Sequence, residues 1–224
     1  MVALDDMELV GKMAVKGPQD YRKQVKSLLA AIKAKTVGRL LVDTAVPGKI
    51  FIIPDPLGET CYSEVPYYDT PGGKCKLITD ISTIEFSPGC KDPAWPDDET
   101  LFHELVHAIR MSRGIRDCEK LPAGLSKYDT REEFYTILLT NIYTSEKHPG
   151  SLAESELLFL NDHRGGRMKK GDAASFLMEP ANLELVEAFM KSMPELSKQI
   201  ALVKTPFNAI RDVYLYALAC VAGF

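Results

Sequence analysis

Long runs of like charge and long apolar stretches are both missing from this 224-residue chain, and the two absences narrow its class before any motif is considered. No cluster of Lys and Arg is long enough for a nucleic-acid footprint, and the net charge is −4. Arg164, Arg167, Lys169 and Lys170 make only a small basic patch that reads as a solvated loop. The longest apolar stretch, Val213 to Phe224, is too short to span a bilayer. Met1 to Asp6 is acidic and leads into no apolar segment, so no Sec-type signal is visible. These features predict a soluble protein, without membrane or nucleic-acid partners, that stays in the cytoplasm or leaves by a route needing no such signal. Cysteine is sparse as well. Cys61, Cys75, Cys90, Cys118 and Cys220 are odd in number and form no C-x-x-C pair, which excludes a zinc knuckle or a complete disulfide framework. Reduced thiols are expected, with room for one bridge among Cys61, Cys75 and Cys90. No repeat or low-complexity tract interrupts a chain that is 46% hydrophobic, so one domain over 1–224 with a substantial core is expected.

Histidine is the scarcest informative residue, with four in the chain, and two of them stand in His103-Glu104-Leu105-Val106-His107. On an α-helix, residues i and i+4 share a face about 5–6 Å apart, so both imidazoles can grip one metal ion with a carboxylate beside them. The spacing predicts a zinc hydrolase. Leu101, Phe102, Ala108 and Ile109 surround the motif with uncharged residues, as a helix buried beneath a metal site requires. Pro96 followed by Asp97-Asp98-Glu99-Thr100 supplies a start that suits the positive end of the helix dipole, and Gly114 supplies a stop. A helix over residues 98–113 is predicted, with Arg110 and Arg113 as compatible charge in its last turn.

Before this helix, residues 18–35 repeat Tyr21, Val25, Leu28, Leu29 and Ile32 at helical spacing. Residues 40–42, 49–53 and 77–86 are β-branched or apolar runs bounded by turn formers and read as strands of a small mixed or antiparallel sheet. After the helix, residues 130–146, 152–162, 182–193 and 206–222 all read as helical. The expected fold class is α+β, with helix and small sheet over 1–97, then the motif helix and a helical half over 98–224.

Two histidines leave a zinc site one protein ligand short. Arg110 and Arg113 occupy the positions where a three-histidine pattern would carry Gly and His, so the third ligand must come from downstream. Asp129-Thr130-Arg131-Glu132-Glu133-Phe134 begins a helix there, and either Glu132 or Glu133 can serve. Each has another possible use, since Asp129 with Glu132 and Thr130 with Glu133 both match the capping box.

His103-Glu104-x-x-His107-Ala108 followed by Glu132-Glu133-Phe134 resembles the gluzincin zinc peptidases. The stretch from 98 to 145 is most similar to short bacterial effector metalloproteases of the NleD type and, more distantly, to lethal-factor-like peptidases. The resemblance implies a zincin-like fold and a zinc endopeptidase delivered into host cells, cleaving signalling proteins. It favours Glu133, which directly precedes an aromatic residue, as the ligand. It leaves the remainder of the chain, including the segments 58–76 and 151–170 expected to wall the cleft, unmatched.

With zinc held by His103, His107 and the Glu, Glu104 is the expected general base and then acid for a metal-activated water. His163, after Asn161-Asp162, and Tyr143 are the candidates to stabilise the oxyanion. Asp129 or Glu99 could orient a ligating imidazole. The expected partner is a protein or peptide substrate, and the expected state is a monomer. Two alternatives belong to other classes: a non-catalytic interaction protein on a zincin scaffold, and a metallohydrolase of a non-peptide bond.

Overall fold

The computed structural model describes residues 6–55, 62–64, 67–69, 75–77, 79–89, 96–121, 128, 130–148, 157–159, 166–168 and 176–222. It divides into two compact units, Met1–Arg116 and Asp117–Phe224.

The first unit opens with the hairpin β1 (Met7–Val10) and β2 (Met13–Lys16), continues through α1 (Gln19–Lys33) and α2 (Thr36–Asp43), and then lays down β3 (Ile50–Ile53), β4 (Tyr62–Glu64), β5 (Tyr67–Asp69), β6 (Cys75–Leu77) and β7 (Ser82–Glu85) before α3 (Asp97–Ser112). Five strands form one mixed sheet in the order β1-β2-β3-β7-β4, while β5 and β6 pair separately. The central β2, β3 and β7 run parallel, and the edge strands β1 and β4 are antiparallel to their neighbours. A parallel centre calls for apolar runs rather than strict alternation, and Ile50-Phe51-Ile52-Ile53 is such a run. Ile50 and Ile52 are fully buried, whereas Phe51 lies under the Lys16 ammonium, 4.3 Å from its ring centre. Helix α3 packs on β3, β4 and β7, with α1 and α2 beside it. Leu101, Phe102, Leu105, Val106, Ala108, Ile109 and Met111 are all sealed from solvent, so α3 is the central element of this core.

Several local expectations change. Leu40-Leu41-Val42 lies in α2, where Val37, Gly38, Leu41 and Val42 are buried at helical spacing. Three apolar residues alone carry no period, so the wider window decides. The run over 77–86 is broken: the Thr79 hydroxyl accepts the Ile81 amide at 3.0 Å, a local turn that leaves Asp80 and Ile81 exposed and starts β7 at Ser82. The strands β1 and β2, each four residues long, had no counterpart in the sequence reading.

The second unit contains α4 (Arg131–Lys147), the hairpin β8 (Leu157–Phe159) and β9 (Gly166–Met168), a 3-10 turn (Phe176–Met178), α5 (Pro180–Ser192), α6 (Pro194–Ala201) and α7 (Ala209–Ala222). Pro180 and Pro194 start their helices at the position where a missing N–H costs nothing. The segment 152–162, expected as a helix, contains β8 instead, paired with β9 from Leu157 opposite Met168 to Phe159 opposite Gly166. A short apolar run followed by Asn, Asp and Gly is a hairpin signal that outweighs helical pattern. The core of this unit is aromatic. Tyr128 meets Phe134 edge-on at 4.9 Å, Phe134 stacks on Phe176 at 6.1 Å, and Phe176 meets Phe207 at 5.5 Å. Within this core Ser145 Oγ accepts the Phe207 amide at 2.8 Å, and Asn208 Oδ1 caps α7 by accepting the Arg211 amide at 3.1 Å.

Among the described glycines the tightest surroundings are at the α1–α2 corner. A Cβ placed on Gly38 would collide with the Ile32 carbonyl oxygen and come within 2.8 Å of its carbon. Gly38→Ala should therefore cost about 2 kcal/mol or more of stability, read as a lower urea midpoint; an unchanged midpoint would show that the corner is not rigid.

Candidate metal centre

Helix α3 starts after Pro96 with no side-chain cap, and Asp97, Asp98 and Glu99 fill its first turn, where their charge complements the dipole. Asp97 also accepts the Gly89 amide at 2.8 Å, which ties the preceding turn to the helix start. The other end is a Schellman cap. Gly114 adopts φ 71° and donates to the Met111 carbonyl at 2.7 Å, while the Ile115 amide donates to the Arg110 carbonyl at 3.0 Å.

Arg110 stands in the last turn of α3, as expected of a charge compatible with the helix end. It is completely buried and donates from Nη2 to the Ile115 carbonyl at 2.9 Å, so its guanidinium reinforces the cap from inside. Arg113 is exposed and donates to the Thr44 carbonyl at 3.1 Å, joining the end of α3 to the end of α2.

On this helix the His103 and His107 rings stand 5.0 Å apart, centre to centre, inclined at 77°. The ligand atoms of His103, His107 and Glu133 all lie within 4.8 Å of one another. Two imidazoles and one carboxylate could therefore hold a metal ion.

The surroundings fit a cation. His107 and Glu133 are buried, as is Glu104. His103 Nδ1 and Glu133 Oε1 are shut off from solvent and take part in no hydrogen bond, although both residues have other interactions. A buried carboxylate is costly unless a positive charge faces it, and a divalent ion would supply that charge.

The neighbouring carboxylates of α4 have separate duties. The Thr130 side chain caps the helix by accepting the Glu133 amide at 3.1 Å, so the capping pattern uses Glu133's backbone while its carboxylate oxygen belongs to the histidine group. Glu132, the alternative ligand, points elsewhere: its Oε2 accepts the Asp117 amide at 2.9 Å. Sequence alone left the two equivalent, because consecutive helical residues differ only in direction, by about 100°.

Of the two residues expected to stabilise an oxyanion, His163 lies outside the described residues, as does Asp129. Tyr143 is fully buried near the C-terminal end of α4. Ten residues separate it from Glu133, or about 15 Å of helix rise, beyond the reach of a phenol. Glu99, the other candidate to orient an imidazole, is buried on α3. His148 ends α4 as an exposed C-cap.

One residue near the group was not anticipated. Tyr128 is 5% exposed, and its phenol is pushed well above its ordinary pKa by burial first, then by the Glu179 and Glu133 carboxylates. Its O–H therefore stays protonated throughout the physiological range. The only hint in the sequence is an aromatic residue five positions before Glu133.

Cys118 is disulfide-bonded, which corrects the expectation of reduced thiols. Its partner is not among the described side chains. Among the described residues no helix is long and apolar enough to cross a membrane. No family model, curated protein or solved structure matches the chain.

Elemental analysis of the purified chain should find about one bound metal ion per molecule, falling near zero in His103→Ala, His107→Ala and Glu133→Ala. Full retention of the metal in all three variants would place it elsewhere.

Proposed function

We propose that the protein is a zinc-dependent endopeptidase of the gluzincin type with a zincin-like active-site arrangement. The observation that carries this reading is the convergence of His103, His107 and Glu133 ligand atoms within 4.8 Å, with Glu104 adjacent in the same motif. A His₂Glu donor set of two borderline nitrogens and one oxygen suits zinc and leaves a coordination position open. Zinc bound there would supply a Lewis acid and lower the pKa of water towards 7.

The chain's own groups account for the remaining chemistry. Glu104 is buried at 7% exposure, next in sequence to one ligand and three residues before the other. It takes a proton from the attacking water and returns it to the leaving amine, so one carboxylate acts as base and then acid. The protonated Tyr128 phenol is the donor this reading assigns to the developing oxyanion, in place of Tyr143. An extended substrate has a place to lie: β4 is an edge strand that contacts α3, and an edge strand can pair with added main chain.

Incubation with a cell lysate, followed by mass spectrometric detection of new amino termini, should reveal cleavage by the zinc-loaded chain. Glu104→Gln should retain zinc and lose at least about 100-fold in turnover; normal cleavage by that variant would refute the assignment. Tyr128→Phe should lower kcat by about 100-fold with little change in KM. Zinc binding without new termini from the wild type would favour a metal-binding role without proteolysis.

A further inference from the structure

Charge is segregated within the first unit. Residues 11–49 carry nine Lys and Arg against two Asp, which leaves 18 basic against 29 acidic residues in the rest of the chain. Much of this excess lies on α1 and α2. Lys26 and Lys33 are seven residues apart and so project about 20° from one another, while Lys23 lies about 60° to the other side. All three lysines are exposed, as is Arg39 on α2. Lys35 caps the start of α2, at a corner so tight that Gly38 abuts the Ile32 carbonyl, and this gathers Lys33, Lys35 and Arg39 within seven residues. Among the described residues these three meet no carboxylate. Lys26 Nζ does stand 2.7 Å from Glu8 and Lys23 Nζ 3.4 Å from Asp20, but both pairs are well exposed, so little holds the ammonium groups there. Arg22 is engaged elsewhere: its side chain is 16% exposed and donates to the Gly17 carbonyl at 2.6 Å.

We propose that the α1–α2 face docks on an anionic phospholipid surface, held there by lysine and arginine charge rather than by insertion. Charge complementarity gives the sign of the partner, and the make-up of the face gives its kind. Protein interfaces concentrate aromatic and large apolar anchors and are depleted in Lys. Single-stranded nucleic acid is bound by stacking its bases on aromatic rings. The exposed residues of α1 and α2 include no aromatic and no large apolar side chain; they are Lys, Arg, Asp, Gln, Ser and Ala. Such a face offers flexible point charges, which a layer of anionic head groups accepts in any register. Each Lys or Arg brought near the layer raises partition about fivefold. With nothing apolar to insert, attachment is reversible and weakens with salt. The sequence holds no basic run at this place, because spacings of three and seven residues scatter the lysines among apolar and small neighbours and only the helix gathers them. This role is independent of the metal reading: it concerns where the protein sits, not what it cleaves.

The test is flotation of the full chain with vesicles of equimolar phosphatidylserine and phosphatidylcholine, beside vesicles of phosphatidylcholine alone. Wild type should bind the first and not the second. Its partition should fall at least about tenfold as ionic strength rises from about 0.01 M to 0.15 M, where the screening length contracts from about 30 Å to 8 Å. Lys33→Ala and Arg39→Ala should each weaken partition about fivefold and together about 25-fold. Lys33→Arg keeps the charge and should bind as wild type does. Lys204→Ala, at an exposed lysine of the second unit, should stay within about twofold of wild type. Because Lys33, Arg39 and Lys204 are all exposed, melting temperatures should be unchanged, which separates lost docking from lost folding. Absence of binding to the phosphatidylserine vesicles, equal binding to the neutral ones, or undiminished binding in the double variant would each overturn the proposal. So would retention of duplex DNA or of polyglutamate at a salt concentration that abolishes vesicle binding, which would assign the face to a nucleic acid or to an acidic protein instead.

Discussion

Taking a carboxylate out of water beside two imidazoles is tolerable only if something compensates its charge, and that requirement organises the architecture around Glu133. Coulomb attraction strengthens as the local dielectric falls, but so does the penalty for an unpaired ion. The surrounding elements therefore specify direction closely. Thr130 takes the Glu133 amide, Glu132 is tied to Asp117, and Phe134 anchors the next position between Tyr128 and Phe176. Three consecutive residues of α4 thus point to three different tasks, and the helical turn of about 100° per residue keeps them apart.

The histidine-bearing helix solves the complementary problem. For its two imidazoles to share one ion, the helix must not slide or fray. A Schellman turn at Gly114, the buried Arg110 guanidinium on the Ile115 carbonyl, and an apolar sleeve on nearly every side hold it. Placing Arg110 in the interior gives the Ile115 carbonyl, just beyond the helix end, a charged donor.

The long, strongly periodic elements were legible in the sequence. The helices now seen as α1, α3, α4, α5 and α7 lie close to their expected spans, because many residues vote on each period. The Gly114 stop was equally plain, since only glycine enters φ 71° without strain. What failed was short. Leu40 to Val42, read as strand, is helix, and Leu157 to Phe159, inside a segment read as helix, is strand, because so few residues cannot distinguish periods of 2 and 3.6. At the candidate metal group, spacing picked out His103 and His107 but could not separate Glu132 from Glu133, whose difference is an orientation. Arg110 and Tyr128 were unreadable for another reason: their burial arises from tertiary packing, and nothing in their local sequence distinguishes a buried Arg or Tyr from an exposed one.

The Arg110 cap has a consequence for recognising kindred chains after their overall similarity has faded. Arg110 and Gly114 are required by how this helix ends, and Thr130, Glu132, Glu133 and Phe134 by how the next one begins, so their spacing can persist while loops and surfaces drift. A pattern of H-E-x-x-H-x-x-R-x-x-x-G followed, after a variable interval, by T-x-E-E and an aromatic residue encodes those requirements in one line. It admits chains by the mechanics of two helix ends rather than by average identity, and it rejects chance occurrences of the bare five-residue motif that lack the structure to aim it.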